Sequence, residues 1–170
     1  MEEMKENKKK NYLKEFIPYL LIIVVVIFIK MYVVSPIRVN GVSMDPTLEN
    51  RDIMLLDEVS YRFEDVERFD IVVIHKNDEY LIKRVIGLPG EMVQYKADKL
   101  YIDGECVKED FKHKETSDFL AEVGDNQYFV MGDNRTNSTD SRVFGAVDRD
   151  EIIGKTSLTI LPFSRFGTKN

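Results

Sequence analysis

The sequence has very little cysteine and histidine. Cys106 is the single cysteine among 170 residues, so an intramolecular disulfide and a cysteine-ligated metal cluster are both excluded. The two histidines, His75 and His113, leave few ordinary candidates for a catalytic base. Internal repeats and low-complexity tracts are also lacking, which argues against a repeat protein or a disordered tail.

Basic residues are scarce beyond the N-terminal region. Residues 1–35 contain 6 Lys+Arg and 4 Asp+Glu, which leaves 18 and 26 for residues 36–170, a net charge of −8 for that body. The body has no basic stripe with interleaved aromatic residues, and we therefore expect no nucleic-acid partner. With 44% hydrophobic residues the chain can bury a substantial core.

One long apolar run is present near the N-terminus. Residues 16–34, "FIPYLLIIVVVIFIKMYVV", contain a single charge, Lys30, and as a helix they would extend about 28 Å, close to the thickness of a bilayer core. A cleavable signal peptide and a buried core helix are the alternatives. The run ends in Val33-Val34-Ser35-Pro36, a poor cleavage site, so we favour an uncleaved anchor.

Lysines before this run predict its orientation. Five lysines precede it, and basic residues stay on the cytoplasmic side of a membrane segment. We therefore predict a cytoplasmic N-terminus (residues 1–15), a single-pass transmembrane anchor (16–35) and an extracytoplasmic domain (36–170).

From residue 37 onward, short β-rich runs alternate with turn residues. The predicted strands are 52–57, 70–75, 80–87, 91–95, 99–103, 127–132 and 155–161. Asp103-Gly104 predicts a hairpin turn, residues 115–122 weakly favour a short helix, and the polar run 107–118 is typical of an exposed excursion. The fold class predicted is mainly β and antiparallel, as a partly open or barrel-like sheet.

The stretch "GVSMDPTL" places Ser43 in a tight turn. Gly41 frees the backbone, Pro46 stiffens it, and Met44 places a large apolar side chain beside the serine. A serine here is either a turn residue that bonds its own backbone or a nucleophile.

The predicted strand 80–86 carries one cation on each of two apolar faces. Arg84 must find a carboxylate or water, because an arginine keeps its proton. Lys83 could instead lose its charge, since burial lowers a lysine pKa, and a neutral amine is a general base. The alternative is a lysine that reaches solvent at the rim of the strand.

A polar loop, "GDNRTNSTDSR" at residues 132–142, follows the predicted strand "QYFVM". A Ca²⁺ loop would need an oxygen ligand where Arg135 stands and a later glycine, so we expect no metal here. The loop is either a self-bonded surface loop or one that orients a catalytic group. His75 is expected at a strand end and His113 in solvent, with neither tied to Ser43.

Four segments together resemble the successive signature boxes of the bacterial type I signal peptidases. They are "SMDPTL" (43–48), "RFDIVVI" (68–74), "YLIKRVIGLPGE" (80–91) and "GDNRTNSTDSR" (132–142), in the family's order and after an anchor. The resemblance implies the signal peptidase β fold and a membrane-bound serine endopeptidase without a cofactor. Its partners would be secretory preproteins and the lipid bilayer, at the bacterial cell membrane, with cleavage after Ala-x-Ala-like residues.

The resemblance also assigns roles. Ser43 matches the nucleophile, Lys83 the general base, and Ser138 the hydroxyl that orients the lysine. Further matches are a supporting salt bridge of Asp140 with Arg142, and two structural residues of the same box, Asp133 and Arg135.

This chain departs from some members of the family at Gly41, where they carry a serine whose hydroxyl helps to bind the oxyanion. Backbone N–H groups, chiefly that of Ser43 and otherwise that of Gly41, would replace it. Met44 is expected next to the substrate. Two rivals are a self-cleaving repressor with the same Ser–Lys pair, for which a DNA-binding segment is lacking, and a tethered binding domain without turnover.

Overall fold

The computed structural model describes residues 16–27 and 34–169. A helix, α1, spans residues 16–27, and a second helix, α2, is a single turn, Ser141–Phe144. The strands of the described part are β1 (Val34–Arg38), β2 (Ile53–Asp57), β3 (Ile71–Lys76), β4 (Glu79–Gly87), β5 (Met92–Lys96), β6 (Lys99–Ile102), β7 (Glu105–Val107), β8 (Phe119–Glu122), β9 (Gln127–Met131), β10 (Val147–Asp148), β11 (Ile152–Leu161) and β12 (Gly167–Thr168).

The larger of two antiparallel sheets carries the candidate site. Its strand order is β1-β2-β11-β3-β4-β9-β10, with β12 paired to β11. Strand β4 lies inside this sheet, between β3 and β9, with Lys83 opposite Val72 and Arg84 between Ile71 and Met131. A strand that is covered on both sides can bury both faces, which accounts for its apolar pattern.

The smaller sheet has the order β7-β6-β5-β8. Asp103 and Gly104, with φ of 52° and 86°, connect β6 to β7 and place Ile102 opposite Glu105, which confirms the predicted hairpin. The mainly antiparallel β class is also confirmed. The path of the larger sheet ends at β1 and β10, which is an open arrangement.

Two local predictions were wrong. Residues 119–122, predicted as part of a short helix, form strand β8, because their backbone pairs antiparallel with β5 from Met92 to Tyr95. Residues 107–118 are not a wholly exposed excursion: Thr116 is buried and the Glu109 side chain is only 6% exposed, because both contact a buried arginine.

Three hydrophobic clusters fill the domain. One lies under β3, β4 and β9, with Ile74 and Val130 at its centre, and a second joins the two sheets through Ile86 and Phe129. The third, around Met54, lies directly beneath residues 43–48. Lys83 and Arg84 therefore sit in a strand with packed apolar groups on both sides.

The predicted anchor is described only in part. Helix α1 is apolar and its side chains are exposed, as for Phe16 (66%) and Leu20 (62%). Among the described residues, no helix reaches the combination of length and apolarity that a membrane crossing requires. Residues 28–33 of the predicted anchor lie outside the described residues.

Candidate active site

The loop between β1 and β2 presents Ser43. Val39 N–H donates to the Asp52 carbonyl at 2.8 Å and Arg51 N–H donates to the Val39 carbonyl at 2.9 Å, which closes the base of the loop. Met44 and Leu48 anchor it from below, because both side chains are buried in the third cluster. Ser43 remains half-exposed on top of this anchored loop.

Lys83 reaches Ser43 from the middle of β4. Its Nζ donates to Ser43 Oγ at 2.9 Å, and the residue is only 3% exposed. The alternative from the sequence was a lysine whose amine reaches solvent at the rim of the strand. The observed burial of Lys83 excludes it.

The surroundings of Lys83 favour a neutral amine. Burial lowers the pKa of the Lys83 ammonium below its usual value, and the more distant charge of Arg142 acts in the same direction. The carboxylates of Asp140 and Asp133 oppose this shift without overcoming it. Within the described part of the chain, Lys83 forms no salt bridge, so its buried charge has no direct compensation.

Asn134 ties the serine loop to the loop after β9. Its backbone N–H donates to the Ser43 carbonyl at 2.9 Å and its Nδ2 donates to the Val42 carbonyl at 3.0 Å. Asn134 thus fixes the backbone on both sides of the serine's amide. We did not single it out from the sequence, although it lies within the polar loop 132–142.

A buried ion pair lies next to Lys83. Arg84 Nε and Nη2 donate to the two oxygens of Asp133 at 2.9 and 2.8 Å, and both side chains are 0% exposed. Thr47, on the serine loop, donates its hydroxyl to the same carboxylate. Asp133 therefore links the strand of the lysine to the loop of the serine. Arg135, the other predicted structural residue, pairs instead with Glu109 at 2.8 Å.

The predicted ion pair of Asp140 and Arg142 is present. Arg142 Nε and Nη2 donate to the Asp140 carboxylate at 2.8 and 2.7 Å, and Gly132 N–H donates to it at 3.0 Å. Burial opposes ionisation of Asp140, but these hydrogen bonds outweigh it and lower its pKa. Asp140 also caps helix α2 by accepting from Arg142 N–H.

Ser138 lies against the serine loop at the point where Gly132 permits close approach. A Cβ on Gly132 would stand 2.3 Å from Ser138 Oγ and 2.4 Å from the Ser43 carbonyl oxygen, so only glycine fits here. The Ser138 hydroxyl is buried and has no hydrogen-bond partner in the part of the chain that the structure describes, although it lies near enough to Asp140 to help lower that carboxyl's pKa. No hydrogen bond joins Ser138 to Lys83 in the described residues, and its orienting role stays a prediction.

The two backbone N–H groups predicted to bind the oxyanion differ in whether they already donate a hydrogen bond. Gly41 N–H donates to Asn50 Oδ1 at 3.1 Å, whereas in the described part of the chain Ser43 N–H has no acceptor. Gly41 has φ of +102° and open space where a Cβ would be. Met44 is 2% exposed and faces the third cluster, so its predicted contact with a substrate stays a prediction.

The serine loop has one further support at the end of the chain. Arg165 donates to the carboxylates of Asp52 and Glu49 and to the Thr47 carbonyl, at 3.1 Å for Asp52 and Thr47. The sequence offered no signal for this contact, because 113 or more positions separate Arg165 from its partners.

A cleft of about 640 Å³ opens beside the Ser43–Lys83 pair. Residues 40–43 form one wall and residues 136–139 the other, with Leu81 and Phe144 as apolar members. Both histidines lie elsewhere: His75 packs on Tyr80 with ring centres 4.8 Å apart, and His113 contacts Glu109 at 3.3 Å.

Known proteins are similar to this chain in sequence and in fold. The family described as "Signal peptidase, peptidase S26" matches residues 10–161. This chain belongs to that family. The "Signal peptidase IB" of Staphylococcus aureus (strain COL) is 37% identical over 93% of this chain and 94% of the relative. The "Signal peptidase I" of Bacillus caldolyticus is 37% identical over 98% of both.

A solved structure of a signal peptidase I from Enterococcus faecalis V583 is also similar to this chain. It is 37% identical, with a TM-score of 0.50, and the match covers 54% of this chain and 97% of that one. Membership of the peptidase S26 family confirms the resemblance stated from the four boxes and makes the chain a signal peptidase enzyme.

Proposed function

We propose that this signal peptidase is a membrane-bound serine endopeptidase in which Ser43 is the nucleophile and Lys83 the general base. The observation that carries the proposal is the 2.9 Å contact between Lys83 Nζ and Ser43 Oγ, made by a lysine that is 3% exposed. A hydroxyl needs a base within hydrogen-bond reach, and the neutral amine of Lys83 meets that condition.

The reaction then follows from these two groups. The neutral Lys83 amine takes the Ser43 proton as Oγ bonds to the scissile carbonyl carbon, and the resulting ammonium returns that proton to the leaving amine. An acyl-enzyme on Ser43 remains. Lys83, neutral again, takes a proton from water, whose oxygen attacks the ester and releases the acid with the Ser43 hydroxyl restored.

Backbone groups would stabilise the oxyanion. Ser43 N–H has no acceptor within the described residues and is fixed by the Asn134 bonds to the Ser43 and Val42 carbonyls, so it is available as a donor. Gly41 N–H is occupied by Asn50 and would have to leave this acceptor to serve as the second donor.

The substrate we propose is the end of a signal peptide on an exported preprotein. An extended peptide can lie along the backbone of residues 40–42, at the edge of the cleft, by strand addition. Cleavage after Ala-x-Ala-like residues is the preference that the family resemblance supports.

Ser138 is the proposed orienting group for Lys83. Its hydroxyl is buried and, among the described residues, without a hydrogen-bond partner. Ser138 and Lys83 line the same cleft, which supports the role that the motif implies.

The bilayer is the second proposed partner. The apolar run 16–34, the lysines before it and the exposed apolar side chains of α1 support an anchor at residues 16–35, a cytoplasmic N-terminus and a catalytic domain outside the bacterial cell membrane. An anchored cleft meets emerging signal peptides at a raised effective concentration.

The test is cleavage of a labelled preprotein by the full chain in detergent micelles or vesicles. The wild type is expected to release the signal peptide and Ser43→Ala to release none. Ser164→Ala, at an exposed serine outside the set of residues that line the cleft, is the matched control. Cleavage by Ser43→Ala at the wild-type rate would refute the assignment of the nucleophile.

A further inference from the structure

Residues 108–118 connect β7 to β8 and cross from the smaller sheet to the loop after β9. We call this segment the strap. Lys114 N–H donates to the Asp133 carbonyl at 2.9 Å, and Thr116 N–H donates to Asp98 Oδ1 at 2.8 Å. The strap is therefore hydrogen-bonded near its middle to the loop after β9 (residues 132–140, which we call the site loop) and near its end to the smaller sheet.

Glu109 of the strap compensates a buried charge in the site loop. The Arg135 side chain is 0% exposed, and its Nη2 donates to Glu109 Oε1 at 2.8 Å. The Tyr95 hydroxyl donates to the same oxygen and accepts from Arg135. Burial opposes ionisation of Glu109, but hydrogen bonds from His113, Arg135 and Tyr95 outweigh it and lower its pKa to about 2. The carboxylate therefore remains charged at neutral pH.

Phe111 of the strap covers the second buried arginine. The Arg84 guanidinium carbon lies 3.9 Å from the centre of the Phe111 ring, while the edge of the same guanidinium is bound by Asp133. Phe111 also packs on Phe69 with ring centres 5.2 Å apart, and the Arg135 guanidinium lies 5.9 Å from its centre. One aromatic ring thus contacts both arginines that frame the site loop.

The residues that the strap contacts are connected to both members of the proposed Ser43–Lys83 dyad. Arg84 follows Lys83 on β4, and its partner Asp133 accepts from Thr47 of the serine loop. Asn134 lies between Asp133 and Arg135 and donates to the Ser43 carbonyl. Among the described residues the strap has no hydrogen bond or salt bridge to Ser43 or Lys83, and it acts on them through these residues and through Asp45 of the serine loop, which lies 3.8 Å from Lys114 Nζ.

From these contacts we propose that Phe111 and Glu109 of the strap are positioning residues for the Ser43–Lys83 pair. The Phe111 ring excludes water from the Arg84–Asp133 ion pair, and Glu109 fixes Arg135 at the other end of the loop that holds Asn134. With the strap in place, the hydrogen bonds from Thr47 and Asn134 keep Ser43 Oγ within reach of Lys83 Nζ. The proposal rests on the proposed function for its effect on catalysis, but not for its effect on the loop.

The first measurement is steady-state cleavage of a peptide with an Ala-x-Ala site by the full chain in micelles. Phe111→Ala is expected to lower kcat about 10- to 100-fold with KM within about twofold, because the reacting atoms lose their alignment while the cleft is unchanged. Phe111→Tyr keeps a ring over Arg84 and is expected to retain most of the wild-type kcat.

Two control variants separate positioning from general loss of stability. Ile102→Ala truncates a buried residue of the same hydrophobic cluster on β6, and Lys112→Ala changes an exposed residue of the strap itself. Both are expected to keep kcat within about twofold at a temperature where they are folded. Phe111→Leu replaces Phe111→Ala if the alanine variant does not fold.

The second measurement does not depend on catalysis. Hydrogen exchange of the Asn134 amide reports its bond to the Ser43 carbonyl, and it is expected to be at least about tenfold faster in Phe111→Ala than in Ile102→Ala. Wild-type kcat in folded Phe111→Ala, or equal Asn134 exchange in the two variants, overturns the proposal. A wild type that does not cleave refutes the proposed function instead, and the exchange measurement alone then decides the role of the strap.

Discussion

The two faces of strand β4 each bury a cationic side chain, but the two side chains differ in their partners. Arg84 points to one face, where both oxygens of Asp133 accept its hydrogen bonds and the Phe111 ring covers it. Lys83 points to the other face, where its one hydrogen bond among the described residues is to the Ser43 hydroxyl. Both residues are at most 3% exposed, so burial alone does not distinguish them.

The difference lies in compensation. A guanidinium cannot give up its proton, so a buried arginine must have a carboxylate, and the resulting pair serves as a structural link. An ammonium without a paired carboxylate can lose its proton. Burial lowers the pKa of Lys83 because it disfavours the charged form of the amine. Adjacent residues of one strand therefore separate the structural role from the proposed chemical one.

The largest expected effect comes from making the two faces alike. Lys83→Arg keeps a positive charge but cannot accept a proton, so turnover of a labelled preprotein is expected to fall by at least about 10³-fold, as for Lys83→Met. Lys83→Met removes an uncompensated buried amine, and its unfolding free energy is expected to equal or exceed that of the wild type. Substantial turnover by folded Lys83→Arg would show that the lysine acts through its charge.

The other face can be broken by removing its carboxylate. Asp133→Asn leaves the Arg84 charge buried without compensation, and we expect a loss of about 3–5 kcal/mol in the free energy of unfolding. The double variant Arg84→Met with Asp133→Leu removes both charges and should recover most of this loss. Denaturant titration of both proteins measures it. Equal destabilisation of the single and double variants would contradict the role of the pair.

Titration sharpens the comparison because, of the two cations, only Lys83 can give up its proton. The proposed mechanism requires the neutral amine, so below the folded-state pKa of Lys83 kcat/KM is expected to rise about tenfold per pH unit. Since this pKa is lowered on folding, the unfolded chain binds more protons between the two pKa values, and stability rises with pH through that window.

Lys83→Met provides the control for this titration. Its unfolding free energy should lack the increase between the folded-state pKa of Lys83 and the ordinary value of 10.5. Denaturant unfolding at a series of pH values measures the difference. A flat pH–rate profile for the wild-type enzyme would contradict a neutral lysine base.

A smaller effect is expected at the turn that carries the serine. Gly41→Ala has space for its methyl group but forces a side chain onto a backbone with φ of +102°, at a cost of about 1–2 kcal/mol. Gly104 in the β6–β7 turn has φ of +86° and similar open space. Gly104→Ala should lose comparable stability with unchanged kcat, whereas Gly41→Ala should lose about tenfold in kcat. Equal kcat in the two variants would separate Gly41 from the reaction.

The smallest effect is expected for the histidine on the neighbouring strand. His75→Ala removes a ring contact with Tyr80 and should change turnover by no more than about twofold, with a stability loss of about 0.5–1.5 kcal/mol. A preprotein cleavage assay and a thermal melt measure both. A loss as large as that of Lys83→Met would place a Ser–His arrangement back among the candidates.

Much of the fold could be predicted from the sequence, because period-2 alternation and turn chemistry are local signals. The hairpin at Asp103-Gly104 needs only two residues with positive φ, and the structure has both. Strand β8 could not be predicted, since its pairing with β5 is decided by tertiary contacts instead of by the weak helical preference of residues 115–122. The burial of Glu109 was missed for the same reason: its partner Arg135 lies 26 positions away.

The sequence predicted those residues of the candidate site that lie in recognisable motifs. Ser43, Lys83 and the pair of Asp140 with Arg142 lie in boxes whose order is visible in the sequence, and the structure places the first two 2.9 Å apart. The partner of Asp133 could not be predicted, because the choice between Arg84 and Arg135 depends on which strand lies behind the loop. The contact of Asn134 with the Ser43 carbonyl likewise depends on how two distant loops meet.

Arg165 has a consequence for the time at which the enzyme becomes active. A ribosome makes the serine loop more than a hundred residues before it makes this arginine, yet Arg165 donates to Thr47, Glu49 and Asp52 of that loop. A nascent chain therefore exposes its serine before the last support of the loop exists. Assembly of the serine loop is thus linked to the synthesis of Arg165, and a chain that lacks this side chain, such as Arg165→Ala, should be a slower enzyme even where its sheets are formed.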